Sequence, residues 1–251
     1  MDSYYFSLLK NFTLTDFKLK YHNSLLGYLW SLLNPLLTFA VLYVVFSYFV
    51  RFEMQHYHLF LFLGIILWGF FNEGTLNAIA SLYSKAAIMK KIYFPRTVVV
   101  AASVMTTFLG LILNFVVFLF FYLISGLLPS ILSLLSILFL LNLFFITLGV
   151  AYIVAALNLR FSDIQHIWRI LLQLFFWVTP IVYPLTLIPE HFRFLVYLNP
   201  FAALIEGIRE LFLLNHFNVF YYITSLAFAF VIFSVGLFCY KKMSIWFAEW
   251  V

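Results

Sequence analysis

Residues 81–96 read SLYSKAAIMKKIYFPR and hold four of the chain's fourteen lysines and arginines: Lys85, Lys90, Lys91 and Arg96. Residues 59–84 before them carry only Glu73, and residues 97–124 after them carry no charge. Each flank is long enough to cross a bilayer as a helix, for which about 20 apolar residues suffice. The pattern predicts a basic loop held at one membrane face, its short amphipathic turn ended at Phe94-Pro95-Arg96 because proline cannot continue a helix. Such a loop offers a compact surface for a protein outside the membrane to push on. Charge alone favours the ordinary accumulation of Lys and Arg in cytoplasmic loops, which fixes topology whatever the protein does.

The rest of the chain belongs to the same membrane. Of 251 residues, 66% are hydrophobic and 9% charged, and the mean hydropathy is +1.08; this excludes an ordinary soluble core. A net charge of +5 would suit nucleic acid if the basic groups formed a stripe, but they are dispersed between apolar runs, so no nucleic-acid partner is expected. The single cysteine, Cys239, has no partner in the chain for a disulfide or a zinc site, and no metal is expected. Residues 1–5, MDSYY, lack the basic region and cleavage site of a signal peptide, so the mature protein is expected to begin there.

Residues 4–20 are interrupted by Lys10, Asp16, Lys18 and Lys20 and cannot span. On a helical wheel Tyr5, Leu8, Leu9, Phe12 and Leu19 gather on one side with Lys10 and Lys18 opposite, which predicts an amphipathic helix lying in the membrane interface. Asp16 falls on the apolar side, where Lys20 four residues on is a candidate partner. Residues 25–50 are uncharged and long enough to span with tilt. Ser24, Gly27, Ser31, Asn34 and Thr38 form one stripe along this span, to be read either as helix packing or as the wall of a pore.

Glu73 is the one acidic group well inside an apolar run, and it shares a helical face with Asn77, Ser81 and Ser84. Its carboxylate is expected to face protein or water, as a structural anchor or as a contact to a polar substrate. Residues 97–124 and 131–159 form the third and fourth spans, joined tightly enough to be antiparallel neighbours, and residues 160–169 form a second inner loop. The fifth span, 170–189, is broken by Pro180 and Pro184; Gln173, Phe176, Pro180 and Tyr183 share a face with Trp177 beside them, an arrangement suited to a conduit.

Residues 190–216 decide the topology. They contain Asn199-Pro200 and carry Glu206, Arg209 and Glu210 in an otherwise apolar stretch, so they are expected to form a helical hairpin dipping into the outer leaflet and not a further span. Residues 217–240 then exit to a basic tail. The expected fold is an all-α membrane protein: one transmembrane domain over 1–251, six spans, an N-terminal interface helix, a re-entrant outer hairpin between spans 5 and 6, and both termini cytoplasmic. Eleven basic residues fall on the inner side against three, Arg51, Arg193 and Arg209, on the outer side.

No phosphate-binding GxxxxGK[ST] loop, HExxH or nucleophile elbow occurs, which argues against catalysis within this chain. A secondary transporter normally shows inverted repeats and several intramembrane ionisable groups, and here there is only Glu73. An interface helix with a basic inner loop fits instead a permease that docks a separate ATPase.

The motifs LLGYLWSLLNPLL at the first span, KKIYFPR after the second, NLRFSDI after the fourth, FFWVTPIVYP in the fifth and YLNPFAALIEGIRE before the last occur in this order along the chain. Together they resemble the ABC-2 type permeases, in particular the Wzm-type subunits that export lipid-linked O-antigen polysaccharide. The resemblance covers essentially the whole chain. It implies a bacterial inner-membrane permease acting as a homodimer, with an ABC ATPase subunit that binds ATP and Mg and a lipid-pyrophosphate-linked polysaccharide as substrate; no cofactor is implied in this chain. It also implies that Lys85, Lys90, Lys91, Tyr93, Phe94, Pro95 and Arg96, with Leu8, Phe12 and Lys18 of the interface helix, receive the ATPase stroke. Asn199, Pro200, Glu206, Arg209 and Glu210 fall on the outer gate.

Aromatic residues make up 22% of the chain. Most are expected to face lipid or its interfaces. The candidates for lining a channel are Trp30, Asn34, Phe70, Glu73, Asn77, Gln173, Phe176, Trp177 and Tyr183. Export of teichoic acid, capsule or small hydrophobic molecules remains an alternative within the same fold, and a membrane scaffold without a conduit is one from another class.

Overall fold

The computed structural model describes residues 2–20, 27, 29–51, 54–91 and 94–244. These residues form helices and connecting turns, with no strand among them. In chain order they are α1 (Asp2–Lys20), α2 (Leu29–Val44) running into a π-helical turn (Val45–Phe49), α3 (Tyr57–Ser84), the short α4 (Ala86–Lys91), α5 (Thr97–Ile124), a 3-10 turn (Ile131–Leu135) leading into α6 (Ser136–Arg160), α7 (Ile164–Val178), α8 (Glu190–Tyr197), α9 (Pro200–Arg209) with a π-helical turn (Glu210–Leu214), and α10 (Val219–Ser244). Five of the helical stretches are long and apolar enough to cross a membrane: Leu29–Phe49, Tyr57–Ser84, Thr97–Ile124, Ile131–Arg160 and Val219–Ser244.

α3 is the central post. Most of its residues from Tyr57 to Leu82 are buried, and α2, α5, α6, α7 and α9 all pack on it. α2 and its π-helical turn lie at the edge with no buried residue. The most extensive helix pair is α6 with α10, and glycine explains it. A Cβ built on Gly236 would stand 2.1 Å from the Gly149 carbonyl oxygen, and one on Gly149 would stand 2.5 Å from that of Ile232. Only the absence of both side chains lets these backbones touch, as small residues do at helix crossings in lipid. The buried Asn142 amide donates to Ser225 Oγ across the same seam at 3.0 Å.

The fifth expected span, residues 170–189, is not one helix. α7 begins six residues earlier, at Ile164, and stops at Val178 before Pro180. Residues 179–184 are non-helical, and Pro184 leads into a 3-10 turn, Leu185–Leu187. At 15 residues α7 rises only about 22 Å, short of a bilayer core. The second inner loop shrinks accordingly to residues 161–163, and Arg169 lies inside α7.

The carbonyls released by this break are taken up by Arg209. Its Nη1 donates to Pro180 O at 2.7 Å and its Nη2 to Ile181 O at 2.7 Å. Nε and Nη2 both donate to Phe60 O, at 3.3 and 3.1 Å, and Nη1 also reaches Glu206 Oε1 at 2.7 Å. Every one of the five N–H groups that an arginine carries is therefore used. The guanidinium also lies 3.3 Å from the centre of the Phe60 ring, and Gly64 leaves room for it, since a Cβ there would stand 2.7 Å from Arg209 Nη2.

The hairpin of residues 190–216, expected to dip into the outer leaflet, divides into two unlike helices. α8 lies mostly exposed, but α9 runs inside the bundle with Phe201 to Ile205 and Gly207 to Arg209 buried. Burial of Glu206 and Arg209 is tolerable because they neutralise each other and because Arg209 serves the backbone carbonyls that the break at Pro180 and Ile181 leaves outside any helix.

Candidate functional site

α2, α3, α5 and α7 enclose a half-open cavity of about 820 Å³, to which α1 contributes Lys20. On α2, Trp30, Ser31, Asn34 and Thr38 line it. Pro35 has no N–H to give the Ser31 carbonyl four residues back, and that carbonyl instead accepts from Asn114 Nδ2 of α5 at 3.2 Å. One proline both opens the α2 ladder and joins α2 to α5. Of the stripe read along this span as either packing or pore wall, Ser31 packs on α5, and Asn34 and Thr38 are exposed to the cavity. Gly27 lies outside α2 with φ +51, and Ser24 lies outside the described residues.

Glu73 stands on the α3 wall, half exposed, and its carboxylate pairs with the Lys20 ammonium. Asn77 Nδ2 reaches both Glu73 Oε1 and Thr107 Oγ1 at 3.4 Å. The partner expected for Lys20 was Asp16; that residue pairs instead with Lys85. The helical spacing of Asp16 and Lys20 is right for a local pair, but both side chains turn toward α3 and its C-terminal end, where each meets an opposite charge. Asp16 sits on the packed side of α1 for that reason and not as a flaw in the apolar face.

α7 supplies the third side. Arg169, Leu172, Gln173, Phe176 and Trp177 recur at intervals of three and four and face the cavity together. The ring of Phe176 rests edge-on against Trp68 at 6.1 Å, and Trp168 Nε1 donates to Thr75 Oγ1 at 2.9 Å, fixing the rotation of α7 on α3.

Eight of the nine channel candidates named from sequence therefore border one space: Trp30, Asn34, Phe70, Glu73, Asn77, Gln173, Phe176 and Trp177. Phe70 is buried at its edge against Phe108, 5.6 Å away. Tyr183 is not among the lining residues. Its hydroxyl donates to the carbonyls of Trp177 and Val178, at 2.9 and 3.3 Å, and so closes the end of α7. Sequence reasoning missed Lys20, Asn72, Asn114 and Arg169. For Arg169 the signal was present: it precedes Gln173 by four residues and Trp177 by eight on one helical face.

The residues expected at the coupling surface are divided. Lys85 is buried, paired with Asp16, with its Nζ 5.1 Å from the centre of the Phe12 ring. Phe94 is buried against Phe12 at 5.5 Å. Neither presents itself outward as the loop reading anticipated; both hold α1 to the bundle because an aromatic and a half-buried carboxylate are there to receive them. Arg96 donates from Nη1 to Ser244 O at 3.0 Å, while its own carbonyl accepts from Tyr240 Oη at 3.0 Å, tying the loop to the end of α10. Pro95 and Leu8 are partly buried and Lys18 is exposed. Tyr93 and the side chains of Lys90 and Lys91 lie outside the described residues.

Among the gate candidates, Asn199 caps α9, its Oδ1 accepting from Phe201 N at 2.9 Å and its Nδ2 donating to Thr179 Oγ1 at 2.8 Å. Pro200 occupies the first helical turn, where its missing N–H costs nothing. Glu210 pairs with His216 at 3.0 Å. Among the described residues no group of three or more His, Cys, Asp or Glu side chains is placed to hold a metal ion.

Residues 8–213 match the family model for the ABC-2 type transporter. Two proteins of Klebsiella pneumoniae, both described as "O-antigen export system permease protein RfbA", are 37% and 34% identical to this chain over 251 and 247 residues, covering 98% of it and 95% of each relative. A protein of Myxococcus xanthus with the same description is 30% identical over 211 residues, covering 83% of this chain and 81% of the relative. On the matched region and on full-length similarity alike, the chain is a multi-pass membrane protein that belongs to the ABC-2 type transporter family.

Proposed function

We propose that this chain is the permease subunit of an ATP-driven exporter that carries O-antigen, a polysaccharide on a lipid pyrophosphate, across the bacterial inner membrane. ATP and Mg bind a separate ATPase subunit, and a second copy of the permease completes the conduit. The observation that carries this reading is the cavity. It combines aromatic rings, Trp30, Phe176 and Trp177, with carboxamides, Asn34, Asn72, Asn77 and Gln173. Sugar C–H faces stack on the former and sugar hydroxyls exchange hydrogen bonds with the latter, so a glycan slides past without one fixed register.

In this reading α7, the non-helical residues 179–184 and the hairpin together make the fifth crossing, giving six in all with both termini cytoplasmic. α1 lies at the cytoplasmic interface, its Phe12 and Asp16 joined to Phe94 and Lys85, so force applied to the loop of residues 85–96 reaches α1 directly. The test is deletion and complementation of the gene, with co-purification of the tagged chain. O-antigen should accumulate inside the deletion strain and return to the surface on complementation, and an ATPase should co-purify in stoichiometric amount. Unchanged surface polysaccharide in the deletion strain, with the chain recovered alone under mild detergent, would refute the proposal.

A further inference from the structure

The cavity is graded along its length. α3 and α7 run antiparallel, since Trp168 meets Thr75, Phe176 meets Trp68, and Ile181 approaches Gly64. Along α7, Arg169, Gln173 and Trp177 succeed one another, so that cation, amide and indole are spread over about 12 Å. Along α3 the order is the reverse, with Ile65 and Ile66 at one end of the cavity and Glu73 and Asn77 at the other. All the ionised side chains of the wall, Lys20, Arg169 and Glu73, thus belong to one end. Two cations against one carboxylate leave that end with an excess of one positive charge, while the far end is apolar and aromatic.

The three charges are not equally engaged. Lys20 and Glu73 are paired, whereas Arg169 is exposed and makes no hydrogen bond or ion pair among the described residues. Glu73 keeps 47% of its side chain exposed, and ion pairs this accessible exchange partners at little cost. A guanidinium matches two oxygens of a phosphate at once, and a lysine ammonium beside it adds a point charge. From this we infer that Arg169 and Lys20 form a subsite for the phosphate or diphosphate group of an amphiphilic substrate, with Glu73 holding Lys20 until that group displaces it. The inference rests on the export reading above and names where the charged end of its cargo sits.

The test uses the full-length chain in nanodiscs of zwitterionic lipid and reads binding by tryptophan fluorescence, because Trp30, Trp68 and Trp177 line the cavity. The probes are farnesyl diphosphate, farnesol and inorganic pyrophosphate. Farnesyl diphosphate should bind at least about tenfold more tightly than farnesol, the scale of one charge-assisted hydrogen-bonded contact. Arg169→Gln, which breaks no hydrogen bond or ion pair among the described residues, and Lys20→Met should each remove about that factor, while Glu73→Gln, by removing the carboxylate that competes for the Lys20 ammonium, should tighten binding about threefold. Farnesol affinity should not change. Inorganic pyrophosphate binding as tightly as farnesyl diphosphate would assign the subsite to a free diphosphate; weaker binding assigns it to a lipid headgroup. Equal affinity for farnesol and farnesyl diphosphate, or no loss in either cationic variant, overturns the subsite. If that happens while complementation still restores surface polysaccharide, the subsite alone is wrong. If diphosphate selectivity holds while deletion leaves surface polysaccharide unchanged, the export reading alone is wrong.

Discussion

Replacing Arg209 with methionine should be among the most destabilising single changes in this chain. Methionine has similar length but no N–H groups, so the substitution strands the two carbonyls of the break, of Pro180 and Ile181, and the Glu206 carboxylate, which is 14% exposed, and removes a second donor from the Phe60 carbonyl inside α3. Breaking a buried ion pair by removing one member costs about 3–5 kcal/mol. Each carbonyl left unsatisfied adds up to about 1–3 kcal/mol before the structure relaxes. Rotation of the Glu206 side chain and entry of water recover part of this, and a net loss of about 5 kcal/mol is the expectation. For a chain of this size that lowers the unfolding midpoint by roughly 10–20 °C. The assay is thermal unfolding in nanodiscs followed by intrinsic fluorescence. Arg209→Lys keeps the charge but reaches fewer of the four acceptors, and should fall between the two. The combination R209M with E206L removes the stranded carboxylate and should recover part of the loss, as replacing both members of a buried pair commonly does. An R209M midpoint equal to that of the parent protein would show that the break in α7 is held by something other than this guanidinium.

Gly236→Val should force α6 and α10 apart, since its Cβ alone would stand 2.1 Å from a backbone oxygen that cannot move aside; a loss of about 3 kcal/mol or more is expected in the same unfolding assay, whereas Gly110→Ala, whose Cβ meets nothing within 4 Å, should be neutral or stabilising by up to about 1 kcal/mol. Lys85→Met leaves Asp16 one quarter exposed and unpaired; discounted for that exposure, the cost is about 1.5 kcal/mol, and tryptic cleavage at Lys10 and Lys18 should quicken about tenfold where opening of α1 is fast relative to cleavage. Charge reversal at Lys90 and Lys91 together should leave ATPase activity of the complex intact and abolish export, and normal export would remove the loop from the coupling path. Reversal at Arg96 is a different experiment: it cuts the bond to Ser244 and should loosen the end of α10, seen as faster hydrogen exchange there.

The long elements were legible because hydropathy and charge set them locally. The expected span of residues 97–124 is α5 with the same bounds, and Pro180 marked the end of α7 to within two residues. What was illegible were partners distant in sequence. Glu73 and Lys20 are 53 residues apart and Asp16 and Lys85 are 69 apart, so no helical wheel joins them. Arg209 illustrates the same limit with the sign reversed. Three charges in an apolar stretch argued for a hairpin dipping into the outer leaflet and against a further span, because an isolated charge in lipid costs several kcal/mol. A charge whose five donors all meet fixed acceptors is not isolated, and that condition is visible only once α7 is seen to have broken beside it. That eight of the candidates border one cavity was legible for a local reason: polar groups recurring on one face of an apolar helix need a common non-lipid neighbour, and two such faces find one in the same space.

That reasoning also separates two populations of polar groups that composition cannot tell apart. In a membrane every polar group must be satisfied by protein or by water. Asn142, Tyr57, Tyr122 and Arg209 are satisfied by protein, each donating to a named buried acceptor, and they can be exchanged for apolar residues only at the cost of a helix seam or a bend. The cavity wall is incompletely satisfied from within. The buried Asn114 Oδ1 accepts from no donor among the described residues, and Asn34 and Gln173 are exposed to the cavity with apolar helix surface on either side. Lipid tails cannot serve these groups, so the space is suited to water and to a hydroxyl-rich or charged ligand. A bundle built only to scaffold other proteins has no need to keep such groups unserved, since leucine at the same positions would pack against lipid or a neighbour at lower cost. Replacing Asn34 and Gln173 together by leucine is therefore the substitution that separates a conduit from a scaffold: it should leave folding intact or improve it, and stop transport.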